Sequence, residues 1–339
     1  MKILFLDLFQ TSSHDNLNKN FIKCLNEEHE VSLLCRKSLY ADDSIGYNSW
    51  SFPVIINNLR LKSLYFIFRY FMIKNKDFDI IFIPTFDTIT FALFSFFCNK
   101  KIYIVHHLNI DELISPIKRA IFNLYKNKIN HLVFDNSFKT ILQEKYNVKS
   151  MINQIVHPGS KFGLKTLNKA SNHKKMCIAL SQSNDDEIIL KLIDYNERNN
   201  FLIKNNIELI IRSNALTYNK NNFIVYNSNL TDSEYNELIS NSYLTLLLHP
   251  KNFKYRFSGV LLDSLFNKKV VVSNDFHMAR LFNKKYPNVC KVAKTSEEFF
   301  TTIQSFNNSN HIEEEFKLVN EEFSFNQFKS NLLKIINAS

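Results

Sequence analysis

Short runs of continuously apolar residues, each followed by a helical stretch, constrain the fold of this 339-residue chain more than any other feature. In the first half they fall at 2–8, 31–35, 52–56, 80–84, 102–107 and 131–134. The alternation restarts at 176–180, 207–212, 223–226 and 243–248, and a last strand falls around 289–292; Ser137 reads as one helix N-cap, and Thr231 with Glu234 as a capping box at another helix start. Runs without polar interruption are strands covered on both faces, and strands separated by helices pair in parallel, so the spacing predicts α/β, doubly wound sheets. The length leaves room for two domains, each with its own core. Of only four glycines, Gly159 and Gly163 flank a polar stretch at 159–172 that reads as the hinge. The first domain is therefore expected at 1–160 and the second at 173–321. In such sheets ligands sit at the carboxyl ends of the strands, which puts Thr85, Asp87, His106, His107 and Asn109 forward by position.

The run 249–275, HPKNFKYRFSGVLLDSLFNKKVVVSND, reads as a strand end, a polar and aromatic loop, a helix and a buried strand. Ser258 stands where an N-cap belongs, and Leu261, Leu262, Leu265 and Phe266 form one apolar stripe. Gly259 and Asp263 share another face, about 5–6 Å apart, which this reading turns away from the core. Unpaired amides beside a residue without a side chain make an anion site, and a carboxylate one turn on can accept from a ribose diol. Lys254 and Arg256 add positive charge upstream. This suits a diphosphate sugar. The same run also suits an ordinary surface helix with Asp263 set against the dipole.

The segment YRFSGVLLDSLFNKKVVVSND resembles the carboxy-terminal donor-binding motif of retaining glycosyltransferases of the GT-B fold, family 4 and its relatives. The likeness spans most of the second domain and is thinner in the first. It implies two Rossmann-like domains facing an interdomain cleft, with a last helix, about 322–339, returning to the first domain. Those families carry two glutamates separated by seven residues; here Tyr255 stands at the first position and Asp263 at the second. The resemblance assigns Ser258, Gly259, Val260, Lys254, Tyr255 and Asp263 to the donor, has Arg212 reach its diphosphate, and brings the loop from Tyr226 near the base. It gives either His106 or His107 the place facing the sugar, and Arg256 a share in stabilising the leaving diphosphate. A retaining, metal-independent reaction follows, in which the departing phosphate deprotonates the acceptor.

The bounds on partners come from charge and from missing motifs. A net charge of +10 favours an anionic partner: nucleotide sugar, phospholipid surface or nucleic acid. The basic residues are scattered, with no basic tail, zinc-finger spacing or RNP-like run, so nucleic acid is not expected. No GxGxxG follows the first strand, so no dinucleotide cofactor is expected; no HExxH or carboxylate cluster points to a metal. Cys24, Cys35, Cys98, Cys177 and Cys290 are odd in number and widely spaced, which fits reduced thiols in a cytoplasm. Asp7 breaks the apolar start of the chain, which reads as a strand rather than a signal peptide, and Pro84, Thr85, Asp87 and Thr88 divide 80–98 as a candidate span.

The stretch 59–76 carries Arg60, Lys62, Arg69, Lys74 and Lys76, no acid, and apolar residues almost all round. It reads either as a domain helix with one face in water or as an interfacial helix on an anionic leaflet. With the resemblance, the second reading places the protein on the inner face of the plasma membrane. There it would act on a lipid-linked saccharide in O-antigen or capsule assembly. The alternatives are a non-catalytic membrane-associated subunit of the same fold, given Tyr255, and a sugar-nucleotide epimerase.

Overall fold

The computed structural model describes residues 1–8, 14–35, 39, 48–49, 58–73, 77–162, 174–306 and 310–338. The strand expected at 52–56, Lys74, Lys76 and most of the expected hinge lie outside them. The chain divides into two compact units, Met1–Pro158 with Phe325–Ser339, and Gly159–Ser324.

The first unit runs β1 (Lys2–Leu6), α1 (Asp15–Glu28), β2 (Glu30–Leu34), β3 (Asn48–Ser49), α2 (Leu59–Ile73), β4 (Ile80–Ile83), α3 (Thr88–Phe97), β5 (Lys101–Val105), α4 (Asn109–Glu112), α5 (Pro116–Tyr125), β6 (Asn130–Val133), α6 (Asn136–Glu144) and β7 (Ile152–Gln154). Its strands pair in parallel in the order β3-β2-β1-β4-β5-β6-β7. The order reverses between β1 and β4, which opens a crevice at the carboxyl ends of those two strands. All four residues of β4 are buried, as a strand covered on both faces requires.

The second unit runs β8 (Lys175–Ala179), α7 (Asp186–Asn199), α8 (Phe201–Lys204), β9 (Ile207–Arg212), β10 (Tyr218–Lys220), β11 (Phe223–Tyr226), α9 (Asp232–Asn241), β12 (Leu244–Leu247), α10 (Gly259–Phe266), β13 (Val270–Ser273), α11 (His277–Lys285), β14 (Cys290–Val292), α12 (Ser296–Ser305) and α13 (Asn310–Glu322). The sheet order β10-β11-β9-β8-β12-β13-β14 reverses between β8 and β12. Every pair is parallel except β10–β11, an antiparallel hairpin that the sequence reading did not contain. Asn221 and Asn222 turn it with φ of 54° and 62°, the left-handed conformation that asparagine tolerates and a two-residue hairpin requires. One side of this sheet is filled by aromatic packing: Phe300 of α12 stacks on Tyr195 at 5.1 Å and tilts against Phe201 at 4.9 Å. Each such ring contributes about 1.5–3 kcal/mol by leaving water.

Helix starts follow from side chains that accept from otherwise unpaired amides. Thr231 and Glu234 form the expected capping box of α9, and Ser258 caps α10 by accepting from the Leu261 amide. The cap of α6 is Asp135, not the expected Ser137; Asp135 accepts from both the amide and the hydroxyl of Ser137. Where the last helix is expected at about 322–339, α13 ends at Glu322 and α14 runs Phe325–Asn337. The break comes where the Phe323 carbonyl accepts from the Gly159 amide at 3.0 Å. Within the first unit α14 packs on α1, with Phe328 edge-on to Phe21 at 5.1 Å, Lys329 paired with Glu27, and Asn331 accepting from the Val156 amide at 3.1 Å.

Candidate functional site

The carboxyl edge of the second sheet gathers most of the expected donor residues. Arg212 ends β9 and lies in register with Tyr226, which ends β11. Arg212 is 8% exposed; its Nη2 donates to Asn229 Oδ1 at 2.5 Å and its Nε has no partner among the described residues. No described carboxylate pairs with it: burial lowers the guanidinium's pKa, and only the Tyr226 phenol works in the opposite direction. The Tyr226 hydroxyl is likewise buried without a partner, and burial pushes it up to about 12. Two polar groups in this state, side by side at a strand end, are an arrangement that a bound anion would satisfy.

Across the switch point, the turn after β8 ties these strands to β12. Asn184 Nδ2 donates to the carbonyls of Ala179 (2.8 Å) and Arg212 (2.9 Å), and the Asp185 amide donates to the Leu248 carbonyl at 2.6 Å. His249, which sequence reasoning did not single out as a site residue, organises the loop that follows β12. Its ring stacks on Phe253 with centroids 3.9 Å apart, and Nε2 lies 3.2 Å from Ser258 Oγ at the start of α10. Burial lowers its pKa to about 4, so at neutral pH the imidazole carries no charge into this apolar stack. Arg256 lies over the far end of the stack, its guanidinium 5.3 Å from the Phe253 ring centroid. Lys254 is exposed, while Tyr255 is half-buried with its ring 6.2 Å from that of His277. At the tip of α10 a Cβ on Gly259 would meet nothing within 4 Å, so no neighbouring group crowds that position, and Val260 is half-buried beside it.

Asp263 departs from expectation. It is half-buried rather than solvated: Oδ2 accepts from the Tyr235 hydroxyl at 3.0 Å and the carboxylate also accepts from the backbone and hydroxyl of Ser160. An eight-residue helix covered on two flanks has no wholly solvated side: Ser264 faces Thr245 at 3.0 Å, Phe266 faces Gly159, and Asp263 faces α9. Burial raises its pKa to about 7, against the opposing pull of those hydrogen bonds. Asn267, one turn on, fixes the same segment by donating to the Ser160 carbonyl (3.0 Å) and accepting from the Phe162 amide (2.9 Å).

In the first unit most residues expected by position are engaged in holding the fold. Thr85 donates to the buried Asp7 carboxylate, Asp87 caps α3, and Asn109 donates to the Phe86 carbonyl at 2.9 Å. His106 and His107 follow β5 and diverge, as successive residues of an extended chain do. The His106 ring is fully in the core, 2.8 Å from His131 Nδ1 and stacked on that ring. His107 instead lies against His14 (4.4 Å between centroids) and Phe134 (5.2 Å), and Phe134 in turn touches His157 at 4.8 Å. His107 Nε2 is buried without a partner among the described residues. Burial, reinforced by the neighbouring imidazoles, holds the His107 pKa well below its ordinary value, and burial lowers those of His14 and His157 to about 4. Neither His14 nor His157 lies in a motif; only their places beyond β1 and β7 mark them. Among the described residues no group of three or more His, Cys, Asp or Glu side chains is arranged to hold a metal ion.

No protein-family profile and no curated protein sequence matches the chain. Solved structures do. The Anabaena protein HepE, solved in complex with UDP-glucose, matches with a TM-score of 0.74 at 14% identity over 100% of both chains. A glycosyltransferase from Rickettsia africae matches at 0.68 and 14% identity, covering 98% of this chain and 97% of that one. A protein described as a UDP-N-acetylglucosamine 2-epimerase from Listeria monocytogenes matches at 0.68 and 11% identity, covering 99% of this chain and 96% of its own. Identities this low establish a shared architecture, and the chain has the GT-B fold, two Rossmann-like parallel-sheet units.

Proposed function

We propose that the protein is a glycosyltransferase that moves a sugar from a nucleotide-diphosphate donor to a lipid-linked saccharide, with retention at the anomeric carbon. The observation that carries the reading is Arg212, a buried guanidinium with no carboxylate partner at the carboxyl edge of the second sheet. An uncompensated buried charge is unfavourable by several kcal/mol, and a pyrophosphate supplies the missing counter-charge. The amides at the tip of α10, where nothing crowds Gly259, and Lys254 and Arg256 in the loop before this helix meet the remaining negative charge. Tyr226 lies beside the base and Asp263 one turn along α10, toward the ribose. With the leaving diphosphate neutralised by these groups, the reading invokes neither metal nor cofactor. The bond from the anomeric carbon to the diphosphate oxygen breaks as the acceptor oxygen bonds on the same face, and its proton passes to the departing phosphate. Of the first unit's two histidines we take His107 as the functional candidate, because its Nε2 has no partner among the described residues whereas His106 is tied to His131.

The acceptor and setting follow from α2, whose Arg60, Lys62 and Arg69 are accompanied by no acid. They fit a peripheral protein on the inner leaflet, engaged in surface polysaccharide assembly of the O-antigen or capsule type. The HepE structure with UDP-glucose supports a nucleotide-sugar donor. The Listeria structure favours a second reading, a sugar-nucleotide epimerase, which would consume donor with no acceptor present. Tyr255 in place of an acid favours a third, a subunit without catalysis, which would bind no nucleotide.

Melting curves against UDP-, GDP- and CMP-sugars test the proposal. A ligand at about a hundred times its Kd adds about 2.7 kcal/mol to stability. Arg212→Gln should abolish most of that gain while leaving the ligand-free protein as stable or more so, since it removes an unpaired buried charge. A nucleotide shift that survives the substitution, or no shift with any donor, rejects the assignment.

A further inference from the structure

The first unit carries an apolar face that its own core does not use. Neighbouring helices α2, α3 and α5 each turn large side chains outward: Phe68 and Met72 on α2, Phe96 and Phe97 on α3, Ile117 and Leu124 on α5, all between 53% and 70% exposed. Spacings of four and seven residues put Phe68 with Met72 and Ile117 with Leu124 on one side of their helices, and on α3 the exposed Leu93 stands three and four residues before Phe96 and Phe97. The sets adjoin: Phe71 of α2 is edge-on to Phe97 at 6.0 Å, and Lys128, just beyond α5, lies 5.4 Å over the ring of Phe96. On α2 these side chains lie opposite the buried face of Ser63, Phe66, Ile67 and Tyr70, so the helix is apolar on two sides for two different reasons. An exposed cluster of this kind marks an interaction surface rather than a fold requirement.

The charge around it selects the partner. The three helices hold Arg60, Lys62, Arg69 and Arg119, besides a Lys118 that a flanking acid engages, and not one carboxylate. At the flanks, Glu112 is paired with Lys118 (2.8 Å) and Asp77 with Lys100 (3.4 Å), so neither presents a free negative charge. Two copies of such a face would set cation against cation. An anionic leaflet offers phosphates to the basic rim and acyl chains to the rings. No helix among the described residues is long and apolar enough to cross a membrane, so contact of this kind is made by lying on the surface.

We infer that α2, α3 and α5 together form a docking face for an anionic phospholipid surface, with Phe96 and Phe97 entering the acyl region. The inference deepens the proposed membrane association and rests on it; it assigns the contact to apolar insertion from three helices, where a purely electrostatic α2 anchor would need only charge. Flotation of the full chain with phosphatidylcholine vesicles, with and without phosphatidylglycerol, tests it. The wild type should float with the anionic vesicles, and Phe96→Ser/Phe97→Ser should weaken that partition by at least roughly tenfold at any ionic strength. Arg60→Gln/Lys62→Gln should weaken it at low salt only. Both rings are exposed, so the first variant should melt as the wild type does, and UDP-sugar binding, which belongs to the second unit, should not change. A wild type that ignores all vesicles overturns the membrane association itself. A wild type that floats, with a double-Phe variant that floats equally well, overturns the docking face alone. A dimer that the double-Phe substitution dissociates, without vesicle binding, assigns the face to a second copy and overturns it too.

Discussion

Two opposing titrations are built into single residues. The Asp263 pKa is raised from 3.8 to about 7, so between those values the folded protein holds a proton that the unfolded chain has released, and stability falls as pH rises through that range. Seven histidines act the other way, His29 among them. Burial lowers His14, His131, His157 and His249 to about 4 and holds His106 and His107 well below their usual range. The unfolded chain protonates them near 6.5, so their contribution is complete above that pH and is lost as pH falls toward 4. Asp263→Asn removes only the first effect. It should stabilise the protein by about 1–3 kcal/mol at pH 8, with the gain gone near pH 4, as read from denaturant titrations. If the carboxylate holds a ribose, the same variant should weaken nucleotide binding by about 1–3 kcal/mol; unchanged affinity in that folded variant rejects the ribose role. The two glycines at either end of α10 make a matched pair. A Cβ on Gly159 would lie 2.2 Å from Phe266 Cδ2, so Gly159→Ala should lower stability by about 1–3 kcal/mol through overpacking. At Gly259 the same substitution meets open space and should leave stability equal or up to about 1 kcal/mol higher, while obstructing an anion at the helix tip. Thermal melts with and without UDP-sugar separate the two.

At the level of elements, what could be read in advance depended on how local each cause was. Continuous apolar runs gave most strands to within two residues, because burial on both faces leaves its mark in the residues themselves. Thr231 with Glu234, and Ser258, also showed as caps, since the groups they satisfy lie within the next turn. Ser137 misled because Asp135 stood two residues earlier with the better acceptor. The hairpin of β10 rests on two asparagines in a polar stretch that carries no apolar pattern. Asp263 misled for a different reason. Periodicity assigns a face to a residue, but α9 and the segment at Ser160, distant in sequence, cover that face. The same limit hid His249, His14 and His157: each matters through rings brought from other strands. Arg212 could be named from its place at a strand end, yet its want of a carboxylate partner is a property of the packed unit alone.

Across the whole molecule the chain visits the first unit twice, since α14 returns to lie on α1 and bonds Val156 just beyond β7. A chain ending at residue 324 should therefore lose one of two calorimetric transitions or see it fall by several degrees, while the Gly159–Ser324 unit keeps its own. Loss of both transitions would show that the second unit depends on the first for its folding. The five thiols carry a practical consequence at this scale. All are buried and unbridged, and burial pushes Cys24, Cys177 and Cys290 up to about 12 and Cys35 well above its usual range. The native protein is thus a blank background for alkylating dyes. A single cysteine introduced at an exposed position will be the sole point of labelling, and a fluorophore there can report approach to a bilayer without any native thiol having to be removed first.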